Sequence, residues 1–188
     1  MVYTTKRSML QRMRQGDEAA WLEFQNFYKG LILFLGGKCG LTHQECDALV
    51  QDVMVSIHRE HVLENYDHNK CRFRSYLRTI VKRKAALIKE ARAPRWSNVS
   101  ENMPDESQLE QQFEAEWKQA IYKSAMQKLR ETVDSKKFMA FELHEIQGMP
   151  RDEVAKVMGI SEAAVSLSST RLKKRLEEIV ERLKVEFD

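Results

Sequence analysis

The stretch Pro150-Arg-Asp-Glu-Val-Ala-Lys-Val-Met-Gly-Ile-Ser-Glu-Ala-Ala-Val165 constrains the fold more than any other part of the chain, because it has the grammar of a helix-turn-helix. Val154, Met158, Ile160 and Val165 fall at buried positions of that motif, and Ala155 is small enough for two helices to cross closely. Gly159 suits the left-handed residue of the turn. Ser161 is placed to cap the second helix, and Arg171, Lys173, Lys174 and Arg175 follow on its extension. A helix so decorated fits the major groove of duplex DNA.

The rest of the chain also reads as helix. With 43 % hydrophobic residues in 188, it can build one medium domain or two small ones, and only three prolines and seven glycines punctuate it. A first helix is expected over Thr5 to Arg14. Asp17 caps a second that carries Trp21, Phe24, Phe27, Tyr28 and Ile32 and ends at Gly36-Gly37. Thr42 and Glu45 form a capping box for a third, with Leu49, Val50, Val53, Met54 and Ile57 at core spacing. A fourth runs from Phe73 to Ala91 and stops before Pro94. Beyond a loop, one long helix carries Phe113, Trp117, Ile121, Ala125 and Leu129. Another, capped near Asp134 or Ser135, carries Phe138, Phe141 and Ile146 and stops at Gly148. The helix-turn-helix follows, its second helix running on through Leu176, Ile179 and Leu183.

The formal net charge is only +3, but its distribution is uneven. Between Lys70 and Arg95 the basic residues are Lys70, Arg72, Arg74, Arg78, Lys82, Arg83, Lys84, Lys89, Arg92 and Arg95, against the single acid Glu90. Between Glu101 and Glu116 the sign inverts, with Glu101, Asp105, Glu106, Glu110, Glu114 and Glu116 and no Lys or Arg. A face for a polyanion followed by an acidic connector accounts for the small net value. The resulting division is a domain over 1–93, an acidic linker over 94–110 and a second domain over 111–188.

Three cysteines (Cys39, Cys46, Cys71) have no framework spacing and fit a reducing cytoplasm. The first residues lack the apolar core of a signal peptide, and Leu31-Ile-Leu-Phe-Leu35 is too short to span a bilayer, so a soluble cytoplasmic protein without membrane contact of its own is expected. No Ser/His/Asp arrangement, phosphate loop or paired-acid signature appears, so neither catalysis nor a cofactor is expected. His58-x-x-His61 and His68-x-x-Cys71 have spacing compatible with two metal ligands each, but metal binding needs a closed and complete ligand set, and no metal site is assigned.

Tyr66-Asp-His-Asn-Lys-Cys-Arg-Phe-Arg-Ser-Tyr-Leu-Arg-Thr-Ile80 interleaves aromatic and basic side chains, which suits single-stranded nucleic acid: aromatic faces stack on bases while cations follow phosphates. By spacing alone, Phe73, Leu77 and Ile80 are equally the core stripe of an amphipathic helix. Arg72, Arg74, Arg78, Lys82 and Arg83 are less readily dismissed, because a merely solvated surface mixes charges of both signs.

From about Ser8 to Arg182 the chain resembles the extracytoplasmic-function (ECF) sigma factors, the smallest bacterial RNA polymerase initiation factors. The resemblance is carried in order by Gly16-Asp17-Glu18-Ala19-Ala20-Trp21, Leu49-Val50-Gln51-Asp52-Val53, Tyr66-Asp67 through Arg72-Phe73-Arg74-Ser75-Tyr76-Leu77-Arg78-Thr79-Ile80, the helix-turn-helix, and Arg171-Leu-Lys-Lys-Arg-Leu176. It implies an all-α fold, with a four-helix sigma-2-like domain and a sigma-4-like helix-turn-helix domain joined by the acidic linker. It further implies that Asp47, Leu49, Val50, Gln51, Asp52 and Met54 dock on the clamp helices of the largest subunit of core RNA polymerase. Asn65, Asp67, Asn69, Lys70, Arg72, Phe73, Arg74, Tyr76, Arg78, Lys82 and Arg83 would melt the −10 element and bind it single-stranded. Ser161, Glu162, Ala163, Ala164, Ser166, Thr170, Arg171 and Lys174 would read the −35 duplex. An anti-sigma factor is a further partner that many relatives have.

The physics of this division is coherent. Duplex is read by its groove edges, whereas a pocket that takes an unstacked base rewards melted over paired DNA. The chain also departs from the family pattern. Ala48 stands where an acid usually precedes the Leu-Val-Gln of the docking helix. Arg83 and Leu87 stand where the basic helix usually has Asn and Asp, and Ser166-Leu167-Ser168-Ser169 replaces a stretch that normally holds an Arg and a core Leu. The alternative reading of the residues is a stand-alone helix-turn-helix regulator that binds a palindrome as a dimer without polymerase. A third, a helical module that sequesters a partner, leaves the basic segment and the helix-turn-helix unexplained.

Overall fold

The computed structural model describes residues 9–59, 62–67, 69–92 and 105–187. Every regular element among them is a helix: α1 (Met9–Arg14), α2 (Glu18–Lys38), α3 (His43–Arg59), α4 (Phe73–Arg92), α5 (Glu106–Thr132), α6 (Ser135–Phe141) followed by a π-helical turn over Glu142–Ile146, α7 (Arg151–Met158) and α8 (Glu162–Glu186). No described helix is long and apolar enough to cross a membrane. Two units separate within α5, one of residues 1–120 with 186–188, the other of residues 121–185.

In the first unit, Asp17 caps α2 by accepting the Ala20 N–H at 3.1 Å, and its carboxylate also takes the Arg12 Nε–H at 2.8 Å. The capping box at α3 closes in both directions: Thr42 N–H donates to Glu45 Oε2 at 2.7 Å, and Glu45 N–H to Thr42 Oγ1 at 3.3 Å. Phe24, Tyr28, Leu31, Ile32 and Leu35 of α2 meet Leu49, Val53 and Ile57 of α3 and Phe73, Leu77 and Val81 of α4 in the buried interior. Phe73 sits at the entry of α4, its ring 5.8 Å from that of Phe24 and 5.7 Å from that of Tyr28. Burying each such ring contributes about 2–3 kcal/mol. Phe187 also belongs here, stacked on Phe27 at 3.8 Å between centroids, while its carbonyl accepts the Tyr28 hydroxyl at 2.7 Å.

Several expectations need correction. Gly36-Gly37 does not end α2, which continues to Lys38; the left-handed residue that follows is Gly40, at φ +79°. Gly36 instead lets α3 approach, since a Cβ there would stand 2.9 Å from Cys46 Sγ and 3.0 Å from Leu49 Cδ2. Trp21 is half-buried, its ring packed edgewise on His58 at 4.9 Å, and is not a full core residue. Ile146 is 50 % exposed, because the chain passes into a π-helical turn after Phe141 and the spacing that aligns it with Phe138 is lost. The start expected for α1 at Thr5, the stop at Pro94 and most of the 94–110 linker lie outside the described residues. Within that linker, Glu106–Glu110 is the first part of α5.

In the second unit, Asp134 caps α6 by accepting the Lys137 N–H at 3.2 Å. Ile121, Ala125 and Leu129 of α5 are buried, as are Phe138 and Phe141 of α6 and Leu172, Leu176, Ile179 and Leu183 of α8. Ala140, Val154, Ala155 and Val165 form the core of the helix-turn-helix, covered by Leu143, Met149 and Met158.

Candidate nucleic-acid interface

The two expected DNA-reading surfaces fall in different units and are built differently. In the first, the segment before α4 is a self-capped turn. Asp67 Oδ1 accepts both the backbone N–H of Asn69 at 2.9 Å and its side-chain amide at 3.0 Å, while Lys70 N–H returns to the Asp67 carbonyl at 3.1 Å. Arg14 donates to the carbonyls of Leu63 and Tyr66, tying the turn to α1. Tyr66 and Tyr76 bring their rings to 5.5 Å, and their hydroxyls donate to the carbonyls of Cys71 and Val62 at 3.1 and 3.3 Å. Asn65, Asn69, Lys70, Arg72 and Arg83 are exposed around this turn and helix; Asp67, Tyr76, Arg78 and Lys82 are half-buried.

Two residues assigned to the −10 strand are interior. Phe73 is in the aromatic core, where a ring at the first position of α4 satisfies packing and leaves no face for a base. Arg74 is only 6 % exposed. Its guanidinium lies over the Trp117 ring at 4.0 Å and 3.1 Å from Glu114 of α5. Two further pairs continue along the helices: Arg78 with Glu110 at 3.0 Å and Lys82 with Glu106. Cations at 74, 78 and 82 and carboxylates at 114, 110 and 106 thus run in opposite directions, one turn per step, as an antiparallel charge zipper. Lys82 holds the Glu106 carboxyl below its usual range, chiefly through their hydrogen bond.

The set assigned to docking divides in the same way. Leu49 and Val50 are buried between α3 and its neighbours and serve the interior, whereas Asp47, Gln51 and Asp52 are exposed and Met54 is half-buried. Asp47 is 3.2 Å from His43 one turn earlier, and Ala48 is exposed beside it. Of the paired metal-ligand spacings, His61 and His68 lie outside the described residues, and His58 packs on Trp21. Among the described residues no group of three or more His, Cys, Asp or Glu is placed to hold a metal ion.

In the second unit, α7 ends at Gly159 with φ +64° and ψ +37°, a conformation that L side chains adopt only with strain. Ile160 N–H then returns to the Ala155 carbonyl at 3.0 Å, and Ser161 Oγ accepts the Ala164 N–H at 3.2 Å to start α8. Val154 and Val165 close the core as the spacing predicts. Ile160 does not, being 40 % exposed, because the turn that follows Gly159 aims it outward. Ser161, Glu162, Ala163, Ala164, Thr170, Arg171 and Lys174 are exposed along α8, with Ser166 half-buried among them. Residues 124–176 match the family sigma-70, region 4.

The region 4 match begins in the second half of α5, takes in the whole helix-turn-helix and ends within α8 at Leu176. It covers less than half of the chain. It makes this segment a sigma-70 region 4 domain, a DNA-binding, non-enzymatic helix-turn-helix of transcription initiation. No curated protein matches the chain.

Residues that the sequence expectations passed over complete both surfaces. Leu167, 52 % exposed, stands on α8 between Ser166 and Ser168. Glu145 pairs with Lys173 at 2.6 Å, joining the π-helical turn to α8 and occupying one cation of the basic extension. Glu106 and Glu110 were legible only as linker residues, and Glu114 only as a member of the acidic run that ends at Glu116. Their spacing of four, matched to that of Arg74, Arg78 and Lys82, is the signal that pairs the two helices.

Proposed function

We propose that this chain is an ECF-type sigma factor, which directs core RNA polymerase to particular promoters and helps to melt the −10 element. The region 4 match on a helix-turn-helix with an exposed α8 face carries the reading. On this reading the second unit binds −35 duplex. Ser161, Glu162, Ala163, Ala164, Ser166 and Thr170 face the base edges, and Arg171 and Lys174 the phosphates. The first unit acts as the sigma-2-like domain. The turn at Asn65–Arg72 and the basic side of α4 take the −10 strand, and binding there falls steeply with salt because phosphate counterions are released. Asp47, Gln51, Asp52 and Met54 form the surface offered to the polymerase clamp helices. The protein works in the cytoplasm and has no catalytic step of its own.

Run-off transcription with the purified protein, bacterial core polymerase and a library of promoter fragments tests this. Initiation that requires the chain, with enriched sequences at both −10 and −35, is the expected result. Duplex binding without polymerase and no initiation in its presence, with its cognate core enzyme included, points instead to a stand-alone regulator.

A further inference from the structure

Three of the six cations assigned to the −10 strand, Arg74, Arg78 and Lys82, are already paired with this chain's own α5. Side chains of Arg74, Arg78 and Lys82 are only 7, 15 and 19 % exposed, whereas those of Glu114, Glu110 and Glu106 remain 34, 60 and 59 % exposed. The acids therefore lie outside and the bases beneath them. A phosphate approaching Arg74, Arg78 or Lys82 from solvent meets a carboxylate first. Carboxylates one turn apart on a helix stand about 6 Å from one another, so the row presents repeated negative charge along a line, as a nucleic-acid strand does.

We propose that the N-terminal half of α5 is an internal competitor for DNA, covering the basic face of α4 until it is displaced, so that the −10 strand and α5 bind there in turn. The inference rests on the assignment of α4 to the −10 strand and adds a regulatory step to it. Its attachment has two parts. The carboxylate ends of the ion pairs are exposed to solvent, so salt weakens them. Beneath them Leu109, Phe113 and Trp117 are buried, so displacement exposes apolar surface as well as charge. Mobile negative charge alone does not release such a helix at low cost. Displacement by a DNA strand therefore carries a cost, and the free protein binds the strand more weakly than its uncovered cations alone would.

The test uses the full chain and a fluorescein-labelled, random-sequence single-stranded DNA 20-mer at low salt. Replacing Glu106→Gln, Glu110→Gln and Glu114→Gln together is expected to tighten binding about tenfold, whereas Glu116→Gln, which lies outside the zipper, changes it little. On the wild-type protein, saturating oligonucleotide is expected to speed amide hydrogen exchange over residues 106–118. Arg83→Ala, an exposed α4 cation outside the zipper, separates the two claims. If Arg83→Ala weakens binding while the glutamine variant gains nothing, or exchange in α5 stays unchanged on binding, the −10 assignment stands and the competition is overturned. If neither Arg83→Ala nor the glutamine variant alters binding, the assignment of α4 fails and the competition with it. Circular dichroism of each variant checks folding, and the exchange measurement needs no variant at all.

Discussion

The Arg74 guanidinium carbon lies 4.0 Å from the centre of the Trp117 ring, and the same side chain reaches Glu114 at 3.1 Å, so one cation is held by an indole face and an acid of one helix. A desolvated cation over an indole is worth about 1–2 kcal/mol. Lysine keeps the charge but has no plane to lay on the ring. Arg74→Lys is expected to lower stability by about 1–2 kcal/mol in urea unfolding. Trp117→Ala, which also empties a buried site, should cost about 3–5 kcal/mol. Wild-type stability in Arg74→Lys shows that the stacked pair contributes nothing.

Two adjacent glycines are expected to respond in opposite directions. A Cβ on Gly36 would meet Cys46 Sγ at 2.9 Å and Leu49 Cδ2 at 3.0 Å, whereas one on Gly37 meets nothing within 4 Å. Both are in α2, where alanine is favoured over glycine by about 1 kcal/mol. Gly37→Ala therefore gains about that amount, and Gly36→Ala loses about 1–2 kcal/mol once overpacking is included. Thermal midpoints moving the same way in both variants contradict the close α2–α3 approach.

The difference between those glycines also marks what the sequence makes legible. Caps at Asp17, Thr42, Asp134 and Ser161 and the left-handed Gly159 were readable because each is decided within a few residues. Gly36 was misread as a stop because its role depends on Cys46 and Leu49 of another helix. Arg74 was misread as an exposed cation for a related reason: its partners Glu114 and Trp117 are distant in sequence. Core residues of α3 and α4 such as Leu49, Val50 and Phe73 sit inside the very motifs that carry the family resemblance, so the motif marked the helix correctly but not the direction each side chain takes.

Ser169 offers a gain. It is 4 % exposed in α8, and its hydroxyl has no hydrogen-bond partner. An unpaired buried hydroxyl costs about 1–3 kcal/mol relative to an apolar group of the same shape, and alanine is the better helix former. Ser169→Ala is expected to stabilise the second unit by about 1 kcal/mol. Because the side chain faces inward, −35 preference in a promoter selection should not move. Loss of stability means that the hydroxyl has a role in packing that alanine cannot supply.

The zipper between α4 and α5 gives the protein a dependence on acid. The Glu106 carboxyl is held below its ordinary value of 4.5, first by its hydrogen bond to Lys82 and then by the charges of Lys82 and Arg78. A carboxyl lowered in the folded state contributes stability that is complete above the unfolded value and disappears as pH falls through the lower, folded one. The contribution of Glu106 is therefore intact near neutral pH, starts to fade near 4.5 and is gone at more acidic pH. Asp17 follows the same sign, lowered from 3.8 first by Arg12 and next by the Ala20 N–H. In Glu106→Gln the first of these contributions is missing at every pH. Its thermal midpoint should lie below that of the wild type at neutral pH, and the two curves should converge as the pH drops below 4.5. A gap of constant size down to strong acid shows that the Glu106–Lys82 charge pair does not hold α5 on α4.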